Sequence, residues 1–216
     1  MKEKLSSLKE LDESKLLKVN DTSFFNEESD FNNLLIENLI LATPFEYLNF
    51  NNCKFKNVRF INVIFDHCTF INCEFITCDF SSNKIKEGYY KNNTFKNSKF
   101  LGIYIDSSSF ENVIFSNNLF PMSSFYNTTY KNTHFYENDF KDSIFKQSNF
   151  KENIIFSNNN FIDINFSSTS LKDIDLSSNQ INKLSVSRIN KNELDGVTLS
   201  LNQALEMVKL LGIKIK

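Results

Sequence analysis

Large apolar residues recur along this chain with a period of five. From Phe45 to Phe150 every fifth residue is Phe, Tyr or Ile, without a gap. The run opens Phe45, Phe50, Phe55, Phe60, Phe65, Phe70, Phe75 and Phe80, and Ile85, Tyr90 and Ile105 are its first variations. After Phe150 one residue is inserted, and the series resumes at Phe156, Phe161, Phe166, Leu171, Leu176 and Ile181. Neither the helical period nor the strand period holds such a spacing over this length. The pattern is that of a repeat array whose units share one continuous core.

A second inward position lies two residues before each large one. It holds Cys53, Val58, Val63, Cys68, Cys73, Cys78, Gly88, Ser98, Ser108, Val113, Ser123, Thr128, Thr133, Ser143 and Ser148, mostly small residues. The three remaining positions are mostly Asn, Lys, Asp, Glu and Ser, so each repeat reads small–polar–large–polar–polar. Over residues 35–184 this resembles the pentapeptide-repeat family. The resemblance implies an all-β solenoid, a right-handed quadrilateral β-helix in which four repeats make one coil of about 20 residues. Asn52, Asn72, Asn92, Asn112 and Asn132 support that period independently, since they are spaced by 20 residues. Stacked amides of this kind can form a hydrogen-bonded ladder. Seven coils would give a rod of about 34 Å.

The ends break the pattern, as the open ends of a solenoid require. Leu5, Leu8, Leu11, Leu16 and Val19 share one helical face, with Ser7 and Glu10 spaced as a capping box. One or two short helices are expected over residues 5–19, within an amino-terminal cap of residues 1–34. Leu35 and Ile40 are candidate first core positions. In the carboxyl-terminal cap, residues 185–216, Ser200 and Gln203 form a second capping-box pattern and Gly212 a stop, which predicts a helix over 201–211. Leu201, Ala204, Leu205, Val208 and Leu211 are expected to cover the last coil. The helix then has surplus apolar surface, and the tail Ile213-Lys214-Ile215-Lys216 alternates like a short strand. Met207, Leu210, Ile213 and Ile215 are the expected interface of a homodimer joined through its carboxyl ends.

Composition narrows the function. The chain has 24 phenylalanines, four glycines and two prolines, so a large core must form with few ordinary turn residues. It carries 24 basic and 26 acidic side chains, a net charge of -2, which gives no general pull toward nucleic acid or acidic membranes. No stretch is apolar enough for a membrane span and no secretory signal opens the chain, so a cytoplasmic protein is expected. The cysteines occupy inward positions and do not have zinc-site spacing. His67 and His134 fall on opposite faces of a 20-residue coil. Asp139 and Asp142 read as solvated surface charge. No phosphate loop or dinucleotide motif occurs. No enzymatic activity, cofactor or metal is expected.

Within the family, the ending Gly196-Val197, Gln203-Ala204-Leu205 and Leu210-Leu211-Gly212-Ile213 resembles the quinolone-resistance (Qnr) group. That resemblance implies binding to DNA gyrase or topoisomerase IV, protection from fluoroquinolones and mimicry of duplex DNA by the rod. The long loops that interrupt the coils of many Qnr members are missing here. A 34 Å length of duplex carries about 20 phosphates. Residues 45–184 instead carry 14 acidic and 14 basic side chains, dispersed around the coil. The alternative is an interaction scaffold with another partner. One edge of the rod gathers Ile61, Ile64, Leu101, Tyr104, Pro121, Met122 and Ile144, which reads as a partner-contact edge. It also reads as scattered surface apolar residues interrupted by Ser81 and Lys84.

Overall fold

The computed structural model describes residues 8–26, 28–186 and 193–210. Short strands, each centred on one large apolar residue, pair in parallel with the strand one coil away. The coil has four faces. The first is a seven-stranded sheet from Asp30–Asn32 to Asn149–Lys151, and the second an eight-stranded sheet from Leu17–Val19 to Ile155–Ser157. The third runs from Ile40–Leu41 to Gln180–Asn182, largely through single bridges such as Asp79 with Lys99. The fourth is a six-stranded sheet from Phe45–Glu46 to Ile144–Lys146. The molecule is a parallel β-solenoid of about eight turns, as the period of five predicts.

Register makes like sit on like. Phe55 lies over Phe75, Phe75 over Phe95 and Phe95 over Phe115, with ring centroids 4.7, 4.5 and 4.9 Å apart. Neighbouring faces meet edge to face, as Phe70 does with Phe75 at 5.4 Å. Both arrangements suit the ring quadrupole. The corners explain the scarcity of glycine. The residue two places after most central residues has a left-handed backbone, for example Asn72 at φ 54 and Asn112 at φ 54. Asn tolerates that conformation better than other side chains. On the first corner, Asn92 donates to Asn72 at 2.9 Å, Asn112 to Asn92 at 2.6 Å and Asn132 to Asn112 at 3.2 Å. Asn153 extends this ladder, donating to Asn132 at 3.0 Å. Asn52 stands apart from it, because Asn72 donates to Asn51 at 3.2 Å.

The inward small position also does hydrogen-bonding work. Ser123 Oγ donates to Phe100 O at 2.7 Å and Thr133 Oγ1 to Phe110 O at 3.1 Å, each satisfying a buried corner carbonyl. Asparagine does the same and more. Asn118, Asn138, Asn159 and Asn179 form a buried column in which each Nδ2 donates to the next Oδ1, at 3.0, 3.0 and 2.9 Å. Sequence reasoning treated this position as a packing site and passed over its asparagines.

Both ends differ from expectation. Residues 8–19 contain only a three-residue 3-10 turn, Glu13–Lys15, and then the strand Leu17–Val19; Leu5 and Ser7 lie outside the described residues. The strand pairs with Leu34–Ile36, because the first coil offers backbone donors and acceptors that a strand satisfies and a helix does not. Helical caps at both ends are therefore corrected to a single carboxyl-terminal helix. Phe25 closes the amino end of the core, within 5.3 Å of Phe31 and 5.7 Å of Phe45. The first coil's core positions are Phe31, Ile36 and Leu41, paired with Phe50, Phe55 and Phe60, and not Leu35 and Ile40. A four-residue step from Leu41 to Phe45 restores the period, and Ile40 is exposed.

The helix α1 (Leu201–Leu210) forms with its capping box: Ser200 N–H donates to Gln203 Oε1 at 2.7 Å. Its covering face is rotated from the expected one. Gln203 is buried and Met207 packs against the core, while Leu201 and Leu205 are exposed. The buried amide column sets this rotation. Gln203 Nε2 donates to Asn179 O at 2.6 Å and Leu176 O at 3.1 Å, supplying donors that a further coil would supply.

His134 is buried on the outer side of the second face. Asn153 Nδ2 lies 3.3 Å from its Nε2 and Tyr136 Oη 2.9 Å from its Nδ1. An amide nitrogen only donates, so Nε2 accepts and the proton sits on Nδ1. Burial holds the imidazole down to about 4, from an ordinary value of 6.5.

Two outcomes are expected. Phe95→Ala should cost about 3–5 kcal/mol in chemical unfolding, whereas Lys96→Ala, on an exposed side chain, should be nearly silent. Below pH 6.5 the unfolded chain takes up a proton at His134 that the folded chain refuses until about pH 4. Stability should therefore fall across that window by about 3 kcal/mol, and His134→Gln should remove this part of the acid dependence.

Candidate protein-interaction surface

The outer surface divides into columns, each stacking one residue per coil. Where the third face turns into the fourth, one column carries Ile61, Ser81, Leu101 and Pro121, and the next carries Met122 over Gly102. The adjoining strand column of the fourth face runs Ile64, Lys84, Tyr104, Ser124, Ile144 in paired register. The structure thus brings Leu101, Tyr104, Pro121 and Met122 together in adjacent coils. Ile61 and Ile64 are set off by Ser81 and Lys84, and Ile144 by Ser124. Met122 is the most open of the group at 60 % exposure and holds φ 57, a conformation that disfavours its side chain.

Leu119, 46 % exposed, enlarges the group and was missed in the sequence. Its signal is its column: Arg59, Asp79, Lys99 and Asp139 are all charged, and Leu119 is apolar, as is Ile40 at the start of the column. Lys146 lies 5.3 Å from the centre of the nearby Tyr126 ring. Partial burial, and then Asp106, push the Tyr104 phenol up, so it stays a neutral donor at the patch.

A second groove, of about 700 Å³, lies between residues 8–16 and the first corner, where Asn72, Asn92 and Asn112 form one wall. The amino-terminal segment is strapped down there. Glu13 pairs with Lys54 at 3.0 Å and Lys56 at 3.2 Å, Lys54 pairs with Glu74 at 3.1 Å, and Leu11 N–H donates to Glu74 at 2.5 Å.

The residues considered for chemistry lie apart. His67 on the fourth face bridges Asp66 at 2.8 Å and Glu87 at 2.9 Å and stacks on Tyr47, whereas His134 lies on the opposite, second face. All four cysteines are free and buried. Burial pushes Cys68 up to about 11 and Cys78 up to about 12, so both stay protonated thiols. Among the described residues no group of three His, Cys, Asp or Glu side chains is placed to hold a metal, and no helix is long and apolar enough to cross a membrane. Of the expected dimer residues, Met207 is half-buried; the Leu210 side chain, Ile213 and Ile215 lie outside the described residues.

Comparison with known proteins agrees with this geometry. The model of the pentapeptide-repeat family, "Pentapeptide repeats", matches residues 45–81 in 8 copies. No curated protein matches the chain. Full-length QnrB1, a plasmid-mediated fluoroquinolone resistance protein, shares the fold with a TM-score of 0.52 at 18% identity, covering 83% of this chain and 100% of that one. Weaker likenesses reach Rfr23 of the cyanobacterium Cyanothece 51142 (TM-score 0.44, 8% identity, 62% of this chain and 95% of that one). HetL of Nostoc sp. strain PCC 7120, a protein involved in heterocyst differentiation regulation, follows (TM-score 0.37, 6% identity, 82% and 90%). The match to the pentapeptide-repeat model covers residues 45–81, and beyond it the four-faced coil continues in the fold that this chain shares with QnrB1.

Proposed function

We propose that the chain is a non-enzymatic binding protein that engages a type II topoisomerase, DNA gyrase or topoisomerase IV, and protects it from fluoroquinolones. The observation that carries this reading is the coil shared with QnrB1 along that protein's whole length. The architecture supports a binding role: stacked rings occupy the interior, and the side-chain variety is on the outside. DNA mimicry here rests on the shape of the rod and not on matching phosphate charge. Asp79 sits between Arg59 and Lys99, and Glu111 between Lys91 and Lys131, so acids and bases share columns. The contact is then the edge around Leu101, Tyr104, Leu119 and Met122, where an apolar patch can bury against a partner. That edge also favours a second reading, a scaffold for a different protein, because it requires no nucleic-acid-like partner.

A homodimer through the carboxyl end belongs to the same proposal. Leu201 and Leu205 present apolar surface outward on α1, and a twofold axis would pair that patch with itself. They take the outward place expected for Met207.

Titrated into drug-treated gyrase, the protein should restore supercoiling at concentrations below those that inhibit the enzyme. Leu101→Glu with Met122→Glu should abolish the rescue while leaving the fold intact by circular dichroism. Failure of rescue with both gyrase and topoisomerase IV from the same source would favour the scaffold. In sedimentation, Leu201→Glu with Leu205→Glu should convert a dimer into a monomer. An unchanged dimer, or an unmodified chain that is monomeric at micromolar concentration, would overturn the dimer.

A further inference from the structure

One stretch of the solenoid leaves its ladder open. On the first and second faces the sheets end at Asn149–Lys151 and Ile155–Ser157, although the chain makes another coil through Leu171 and Leu176. No backbone hydrogen bond among the described residues joins these two strands to residues 171–177. Pairing resumes on the third face, where Asn160–Ile162 meets Gln180–Asn182, and on the fourth, where Asn165 bridges Ser185. Asn153, the residue inserted into the period of five, sits between the two unpaired strands.

The gap is a cleft of about 530 Å³. Phe150, Ile154 and Ile155 form its apolar part. Phe150 is the one central residue between Phe45 and Leu176 that is not fully buried. Three carboxylates, Glu152, Asp173 and Asp175, line it, and Glu152 also pairs with Lys131 at 3.3 Å. Lys172 also lies there, but its ammonium pairs with Asp195 at 3.6 Å. An open strand edge recruits another extended backbone, and alternate side chains of that strand then face one wall.

We propose that this cleft accepts an extended segment of a partner protein as an added β-strand on the edge of Ile155–Ser157. Apolar residues of the segment pack on Phe150, Ile154 and Ile155. Basic residues at the alternate positions face Glu152, Asp173 and Asp175. Backbone pairing makes the segment extended, and the carboxylates make it basic. The inference stands whether or not a topoisomerase is the partner of the apolar edge, which lies on the third and fourth faces.

The test uses the full chain and a fluorescent peptide of about eight residues alternating Ile and Lys, read by anisotropy. Two control peptides replace Lys with Glu or place Pro at the centre. The Ile–Lys peptide should bind, and each control should bind about tenfold more weakly or worse. Amide exchange should slow at residues 155–157 and not at residues 101–122. Glu152→Lys with Asp173→Lys should weaken binding about tenfold with the thermal transition unchanged. Deleting Asn153 should restore the regular coil and remove binding; should that variant not fold, the lysine variants decide. Absence of binding, equal binding of the Pro peptide, or indifference to the lysine substitutions would overturn the proposal. Self-association released by the Ile–Lys peptide would identify a second copy as the occupant and likewise overturn it.

Discussion

Everything in this molecule depends on parallel pairing in strict register with a residue one coil away. That pairing places Phe over Phe on all four faces, Asn over Asn at a corner, and Asp79 between Arg59 and Lys99 on the surface. Each residue is answerable to two neighbours of the same coil position, above and below. A repeat is therefore not stable by itself; it contributes by completing the surfaces of adjacent repeats. The same constraint gives the ends their form. Phe25 supplies ring surface beyond the first coil at the amino end, and Gln203 supplies amide hydrogens beyond the last described coil at the carboxyl end.

The coil was legible because its period is carried by large side chains whose burial is unambiguous. Even the insertion after Phe150 could be read, since it shifts every later ring by one, and the structure pairs Phe135 with Phe156 accordingly. The ends were not legible for the opposite reason. Around Leu34-Leu35-Ile36 three consecutive apolar residues are all buried, so hydrophobicity alone could not choose the central one. The leucines of residues 8–19 have helical spacing, but an unpaired strand edge outweighs a weak local preference.

The candidate surface was partly legible. Outward positions follow from the coil, so Leu101, Tyr104, Pro121 and Met122 could be placed on one edge. Leu119 was lost because it belongs to a neighbouring column, and adjacency across columns depends on how sharply each corner turns. The rotation of α1 was hidden more deeply. It follows from a polar residue, Gln203, seeking carbonyls left open by the last coil, and a helix read by its apolar stripe gives that residue no weight. Buried polar groups decide geometry in this protein where apolar ones leave a choice.

The corner asparagines have a mechanical consequence. Glycine at each corner would have allowed the same turn but left the backbone free to swing. Asparagine reaches the left-handed conformation with a side chain that then bonds to the next coil's corner, so the corner from Asn72 to Asn153 is braced on the outside as well as filled within. The rod should behave as a stiff beam whose four flats keep a constant bearing to one another. A protein that grips it at two points must adapt its own spacing to the beam, which makes the number of coils a ruler for the distance between those points.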